Sequence, residues 1–339
     1  MADRIGACAV AVLSDAQMVR SPDTALKRER GGDTSRLAPH CRQALPPASP
    51  ASGATRARLP GQRWHFQHGP IDLIIGADGE PDAIDMAVEA AWERFQTTLS
   101  ELVQELRWLR APVQHAVEVR GSVAKRMVLA CWPHREQFIT PMAAVAGAVA
   151  DELIEFFRTQ PGIARAYVNN GGDIALHLAG CQRYRIGLFA DVGRIKRRDA
   201  VSLDGEFDVT VSMPVRGVAT SGWSGRSFSL GVADSATVLA VSAAQADAAA
   251  TMIANSVDVD DPAILRRPAA ELKDDTDLGD RLVTVEVGSL PPAKIAQALD
   301  AGEAKARELL ARGLIYAAAL WLQGQARVVG CEVEAQRPI

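Results

Sequence analysis

The most regular pattern in the chain lies at residues 81–110, where apolar side chains recur at every third or fourth position. The stretch reads PDAIDMAVEAAWERFQTTLSELVQELRWLR. This spacing predicts a long amphipathic helix, and Pro81 in its first turn and Pro112 after its end are typical of helix boundaries. A second helix is predicted at 138–160, where small residues fill the first half and Thr140 and Pro141 suit the start.

Apolar runs on both sides of these helices predict strands. They lie at 63–79 (a strand pair that turns at 69–70), 164–168, 173–178, 184–189, 207–211, 217–220, 227–241 (broken at 233–234), 282–287 and 314–322. Further helices are predicted at 244–257 and 292–312. Strand runs mixed with long helices indicate an α+β fold in which antiparallel sheets are covered by long helices.

The composition is that of a globular protein and narrows the classes of partner. Apolar residues make up 48% of the 339 residues and charged residues 23%, with a net charge of −4, which gives no general attraction to nucleic acid or to an anionic membrane. The five cysteines are scattered, so neither a zinc site nor a disulfide framework is expected, and a reducing compartment fits. We therefore expect a cytoplasmic protein that binds neither nucleic acid nor membrane and for which an oligomer is possible.

The first 58 residues differ in composition from the rest. They contain five prolines, a charged block at 27–30 and an Ala/Ser/Pro run at 44–54, and such composition buries too little apolar surface to offset chain entropy. Residues 1–58 are predicted to be a disordered tail or an upstream extension. Order is expected to begin near Arg63, with one domain over residues 59–330.

The stretch YVNNGGDIAL, residues 167–176, places two amides, two glycines and a carboxylate between two predicted strands. The glycines permit positive φ and a close approach of backbone N–H groups to a ligand, and consecutive N–H groups in such a turn bind anions. Candidate ligand-binding residues are therefore Asn169, Asn170, Gly171, Gly172 and Asp173, with Asp173 available for a ribose hydroxyl, an amide or a metal. The alternative is an ordinary hairpin turn, because Asn-Gly is favoured in hairpins.

A second polar stretch, GVATSGWSGRS, covers residues 217–227. Thr220, Ser221 and Gly222 end a predicted strand, and Arg226 follows them. Hydroxyls with a guanidinium suit a phosphate, since the planar fork of arginine matches its oxygens. An ordinary polar turn is the alternative.

The third stretch, AQADAAAT at residues 244–251, carries one acid and one hydroxyl among alanines. Asp247 and Thr251 are four positions apart and share a face of the predicted helix. Oxygen ligands of this kind suit Mg²⁺, which takes one or two carboxylates together with substrate phosphates. The alternative is a helix whose Asp and Thr bond only to nearby backbone.

In order and spacing these three stretches resemble the ApbE superfamily, the FAD:protein FMN transferases. The family's Asn-x-Gly-Gly-Asp resembles residues 169–173, its Thr-Ser-Gly resembles 220–222, and its Ala-Asp-Ala-x-x-Thr resembles 246–251. The likeness reaches from about residue 60 to 329 and is strongest to an uncharacterised bacterial and archaeal branch, through GPIDLIIGADG, FITPMAAVAGAVADE and SGRSFSLGVADSATVLA.

The resemblance implies an ApbE-like fold with FAD in a cleft. The glycine turn would lie against the nucleotide, Thr220 and Ser221 near the diphosphate, and Asp247 with Thr251 would hold magnesium. In that family FAD is cleaved at its diphosphate and FMN passes to a hydroxyl of an acceptor protein. The implied function is therefore Mg-dependent FMN transfer or cleavage of the FAD diphosphate, with FAD or a related dinucleotide and an acceptor protein as partners.

This sequence departs from the family at two places. The family's His-x-x-Asp-Pro-x-Thr-Gly segment is absent, and its Ala-Lys-Gly falls at residues 145–147, which read Val-Ala-Gly. Asp234 lies in the altered segment and is the candidate replacement base, with a strand-end turn acid as the alternative. The alternative function is a protein that binds a flavin or small ligand without turnover, or an enzyme remodelled for a different substrate.

Overall fold

The computed structural model describes residues 10–13, 53–115, 118–188 and 205–330. Its strands are β1 Val10–Leu13, β2 Thr55–Leu59, β3 Arg63–His68, β4 Ile71–Gly79, β5 Ile163–Asn170, β6 Asp173–Leu178, β7 Arg183–Leu188, β8 Gly205–Thr210, β9 Gly217–Ser221, β10 Ser235–Ala240, β11 Ile264–Pro268, β12 Leu282–Val287, β13 Ala317–Leu322 and β14 Gln325–Gly330. Its α-helices are α1 Pro81–Gln104, α2 Leu106–Leu109, α3 Ser122–Cys131, α4 Val145–Arg158, α5 Ala243–Ser256, α6 Ala269–Leu272 and α7 Pro292–Ala311. Helices over a large antiparallel sheet confirm the predicted α+β class.

Nine strands form the main sheet, in the order β14-β13-β10-β9-β6-β5-β4-β3-β2. Every neighbouring pair in it is antiparallel. At its centre β6 pairs only briefly with β9, through Ile174 with Val218 and Ala175 with Gly217. The two polar stretches predicted at the ends of β5 and β9 therefore meet in the middle of the sheet.

One face of the main sheet is covered by helices. Under α1, α3 and α4 the core contains Phe66 and Leu73 of the sheet with Phe95 of α1, each fully buried. Under α5 and α7 a second cluster joins Val238 of β10 to Leu299 of α7. Full burial of each such side chain contributes about 1.5–3 kcal/mol, so this layer fixes how α4 and α5 lie over the central strands.

The opposite face is covered over its central part by a three-stranded sheet in the order β1-β7-β8. Between the sheets lies a third cluster that includes Ile174, Leu176, Tyr184 and Ile186. Alternate residues of β6 therefore point into different cores, as the period of two in a strand requires.

The predicted helices are interrupted at two positions. The stretch predicted as one helix at 81–110 divides at Glu105, whose carboxylate instead accepts the backbone N–H groups of Arg120 and Gly121. The predicted helix at 138–160 begins with a 3-10 turn, Pro141–Ala144, before α4. Thr140 does not cap it, because its hydroxyl donates to the carboxylate of Asp277.

Two further expectations are wrong in their bounds. Of the strand run predicted at 227–241 and broken at 233–234, only the second part forms a strand, β10, since residues 222–234 form turns and irregular structure. Order begins before Arg63, because β2 starts at Thr55, and β1 also lies inside the segment predicted to be a tail. The rest of residues 1–52 lies outside the described residues.

Candidate functional site

The glycine stretch is the turn of the β5–β6 hairpin. Asn170 pairs with Asp173 across it, and Gly171 and Gly172 have φ values of 66° and 117°. The side-chain oxygen of Asn169 accepts the N–H of Gly172 at 2.9 Å. The stretch is therefore a hairpin turn whose two positive φ values require glycine, and its ligand-binding role depends on what surrounds it.

The two polar side chains that flank this turn both engage neighbouring elements. Asn170 is buried and donates through Nδ2 to the carbonyl oxygen of Ala146 at 3.1 Å. Asp173 accepts the backbone N–H of Thr220 through Oδ1 at 3.2 Å. The turn is thus joined to the start of α4 on one side and to the end of β9 on the other.

Asp247 reaches the same turn of α4 from α5. Its Oδ2 accepts the N–H of Gly147 at 3.0 Å, while Asn170 contacts the adjacent residue Ala146. Gly147 is in the first turn of α4, where unpaired N–H groups and the helix dipole favour a carboxylate. Asn170 and Asp247, distant in sequence, therefore lie on consecutive residues of one helix terminus.

Asp173 and Asp247 are close enough to affect each other's ionisation. Burial raises the pKa of Asp173 to about 7, although Thr220 and the charge of Arg226 act in the opposite direction. Burial also raises the pKa of Asp247 well above its usual value, and the negative charge of Asp173 raises it further. Two neighbouring carboxylates thus share a site that disfavours two negative charges.

Arg226 lies over the glycine turn. A Cβ built on Gly171 would be 2.7 Å from its Nη1, but that end of the side chain is flexible and can move aside, so the positive φ of Gly171, and not this contact, is what favours glycine there. The Arg226 side chain is exposed. An exposed guanidinium whose charge acts on Asp173 gives the site a cationic group able to face an anion.

The hydroxyls of Thr220 and Ser221 lie on opposite faces of the sheet. Thr220 is hydrogen-bonded to the Thr237 hydroxyl at 2.7 Å, on the face covered by the smaller sheet. Ser221 pairs with Ala236, which is buried under α5 and α7. Of these two side chains only Ser221 is on the face of Asp173 and Asp247, whereas Thr220 contributes its backbone N–H.

Asp234 and Gly222 meet at a close contact. A Cβ on Gly222 would be 2.4 Å from the carbonyl oxygen of Asp234, which explains the glycine after Thr220 and Ser221. The Asp234 carboxylate accepts the indole N–H of Trp223 at 3.2 Å and the backbone N–H of Gln323 at 2.5 Å. These bonds are those expected of a turn acid, while the role of Asp234 as a base stays a prediction.

The oxygen ligands available for a cation are few. Thr251 follows Asp247 by one turn of α5 and is partly exposed. Within the described part of the chain, no group of three or more His, Cys, Asp or Glu side chains is placed to hold a metal. A cation here would have Asp173, Asp247 and Thr251 as its protein ligands, and the remaining ligands would come from water or a substrate.

Sequence reasoning missed Asp151 of α4. Its Oδ1 accepts the N–H of Ala243 at 2.9 Å and its Oδ2 that of Ala244 at 2.8 Å. The side chain is buried, and burial raises its pKa to about 6. The only sequence signal was a carboxylate inside the apolar and small-residue run of 138–154.

The chain matches a known protein family. The family described as "AbpE bacteria" matches residues 56–328. The chain belongs to that family. The match begins within β2 and ends within β14, so it includes part or all of each of the nine strands and the residues of the candidate site.

Several archaeal proteins are similar to it. A UPF0280 protein of Methanospirillum hungatei is 30% identical over 210 residues, which cover 60% of this chain and 79% of the relative. A UPF0280 protein of Methanopyrus kandleri is 36% identical over 210 residues (60% and 78%), and one of Methanosphaerula palustris is 38% identical over 196 residues (58% and 77%). These names assign no activity, so the family is an uncharacterised one.

Among the described residues, no helix is both long enough and apolar enough to cross a membrane.

Proposed function

We propose that this protein binds the diphosphate of FAD through a magnesium ion and cleaves FAD there. Asp173, Asp247 and Thr251 would hold the metal, and Arg226, which lies over the glycine turn, would face the phosphates. The resemblance of residues 169–173, 220–222 and 246–251 to the ApbE superfamily supports the choice of FAD. The Asp173–Asp247 pair is the single observation that carries the proposal.

The carboxylate pair fits a divalent cation on physical grounds. Burial raises the pKa of both carboxyls, and the charge of Asp173 raises that of Asp247 further, so in the absence of a cation the pair must hold protons at neutral pH or bear uncompensated charge. A divalent ion removes that penalty. Two carboxylates and a hydroxyl leave several positions of an octahedral Mg²⁺ free, which is the usual arrangement when phosphates complete the site.

The reaction would be a displacement at phosphorus. A hydroxyl oxygen of an acceptor protein, or of water, forms a bond to the phosphorus on the FMN side. The bond from that phosphorus to the bridging oxygen breaks, and AMP leaves. The products are FMN esterified to the acceptor, or free FMN, together with AMP and the hydroxyl proton. Bound magnesium would neutralise the charge that develops on the phosphate oxygens.

A second candidate function is binding of the flavin without turnover. It is favoured by the Asp234 carboxylate, both of whose oxygens accept structural hydrogen bonds. Residues 145–147 also offer backbone groups and no lysine where the family has one. Both candidates share the metal and the diphosphate and differ only in whether AMP is released.

One experiment distinguishes the two candidates. Purified protein is incubated with FAD and Mg²⁺, with and without a peptide carrying a threonine, and AMP is measured by chromatography while flavin binding is measured by fluorescence. AMP that depends on Mg²⁺ supports cleavage, and Mg-dependent binding without AMP supports the second candidate. If FAD neither binds nor is cleaved, both are wrong.

The controls use two aspartates in different settings. Asp247→Asn should abolish the Mg²⁺-dependent part of flavin binding and of AMP release. Asp85 is exposed on α1, and Asp85→Asn should behave as the wild type.

A further inference from the structure

Two carboxylates link α4 and α5 in a reciprocal manner. Asp151 of α4 accepts the N–H groups of Ala243 and Ala244 at the start of α5. Asp247 of α5 accepts the N–H of Gly147 at the start of α4. Each helix therefore supplies the acid that satisfies the first N–H groups of the other, which a helix terminus cannot satisfy within itself.

The first turn of α5 is also held by close packing. A Cβ on Gly147 would lie 2.3 Å from the carbonyl oxygen of Ala243, and a Cβ on Gly217 of β9 would lie 2.0 Å from the carbonyl carbon of Ser242. Both glycines are needed because backbone contacts backbone there. The first turn of α5 thus lies between α4 and β9 with no space to shift.

From this arrangement we infer that Asp151 is a positioning residue for Asp247 in divalent-cation binding. Asp247 lies one helical turn after Ala243, so the place of its carboxylate depends on where α5 begins. Asp151 fixes the start of α5 because its buried carboxylate accepts two backbone N–H groups there. Asp151 itself lies against backbone N–H groups and touches no ligand. The inference rests on the proposed function, because it assigns Asp247 to the metal.

The competing explanation is that Asp151 only stabilises the fold as a helix cap. If Asp151 only caps α5, its replacement should lower the stability of the fold and leave the metal affinity unchanged. If Asp151 positions Asp247, its replacement should lower the metal affinity by more than the loss of stability explains. Asn255, at the other end of α5, provides the comparison. Its Oδ1 accepts the N–H of Leu230 at 2.9 Å and also contacts the Ser229 hydroxyl at 3.2 Å, so Asn255→Ala loosens the same helix without touching α4.

The test measures Mn²⁺ binding by electron paramagnetic resonance, with Mn²⁺ standing in for Mg²⁺ at oxygen ligands. Asp151→Asn keeps the shape of the side chain but places an amide donor against two N–H groups. We expect its Mn²⁺ affinity to fall about tenfold or more, from the loss of one charge-assisted contact. Asn255→Ala should lower the urea midpoint yet keep Mn²⁺ affinity within about twofold of the wild type.

A milder variant keeps the inference testable if Asp151→Asn does not fold. The Ser242 hydroxyl accepts the N–H of Gln245 and is hydrogen-bonded to Asp151, so Ser242→Ala should give an intermediate loss of Mn²⁺ affinity. Mn²⁺ affinities equal to wild type in Asp151→Asn, or in Ser242→Ala when only that variant folds, would overturn the inference alone. A wild type that binds no Mn²⁺ would overturn the proposed function and the inference with it.

Discussion

Replacement of Gly147 by alanine tests the contact between α4 and α5. The added Cβ would be 2.3 Å from the carbonyl oxygen of Ala243 and 2.7 Å from the nitrogen of Ala244. Both are backbone atoms of α5 and cannot rotate away. Ordinary contact begins near 3.4 Å, so the two helices must separate by about 1 Å.

The expected change in stability has terms of opposite sign. Alanine in place of glycine favours a helix by up to about 1 kcal/mol. Overpacking costs about 1–3 kcal/mol, and loss of the bond from the Gly147 N–H to Asp247 costs about 1.5–3 kcal/mol. The unfavourable terms dominate, and we expect the free energy of unfolding to fall by about 3 kcal/mol.

Urea unfolding followed by circular dichroism measures this change. For a chain of this size the midpoint should fall by about 1 M. Gly53→Ala is the matched control, because its Cβ would have no atom within 4 Å, and it should change stability by less than about 0.5 kcal/mol. If Gly147→Ala is as stable as the wild type or more so, which helix propensity alone predicts, the close contact between α4 and α5 is wrong.

The carboxyl group of Asp173 should make stability depend on pH when no divalent cation is present. Burial raises its pKa from 3.8 to about 7, so its stabilising contribution is lost as the pH rises through that value. From about pH 5 to about pH 8 the wild type should lose about 3 kcal/mol relative to Asp173→Asn. Urea midpoints that change in parallel for the two proteins would contradict this. Arg226→Ala should weaken flavin binding about tenfold in a fluorescence titration. Arg267→Ala, which removes an exposed ion pair with Glu271, should leave flavin binding unchanged. If both variants lose the same affinity, Arg226 is not part of the binding site. Asp234→Asn should lower the free energy of unfolding by about 1–2 kcal/mol, and any AMP formation should fall about a hundredfold only if Asp234 is the base.

Local patterns predicted the elements of the site well. Two glycines after an asparagine predicted a turn with positive φ, and the Asp247 spacing predicted its place on a helix face. Both follow from properties of a few neighbouring residues. The structure brings Asn170 and Asp247 to the same turn of α4, while the roles of the three motifs in ligand binding stay predictions.

The remaining features depend on contacts between distant parts of the chain. Strand alternation places Thr220 and Ser221 on opposite faces, but which face is covered by helices follows from the pairing of β9 with β10. The partners of Asp151 are the N–H groups of Ala243 and Ala244, in a different helix far along the chain. Sequence spacing alone carries no information about such contacts, and so Asp151 was not predicted.

The most direct test of the account is a titration of Mn²⁺ followed by electron paramagnetic resonance on the wild type and on Asp173→Asn and Asp247→Asn. Burial raises the pKa of both carboxyls, and the charge of Asp173 raises that of Asp247 further. A cation that replaces their protons should therefore bind more tightly as the pH rises. We predict that the wild type binds one Mn²⁺ per chain with affinity that increases from about pH 6 to about pH 8, and that both variants lose this binding. Wild-type protein that leaves all Mn²⁺ free, or an Asp247→Asn variant that binds it as tightly as the wild type, would contradict the account.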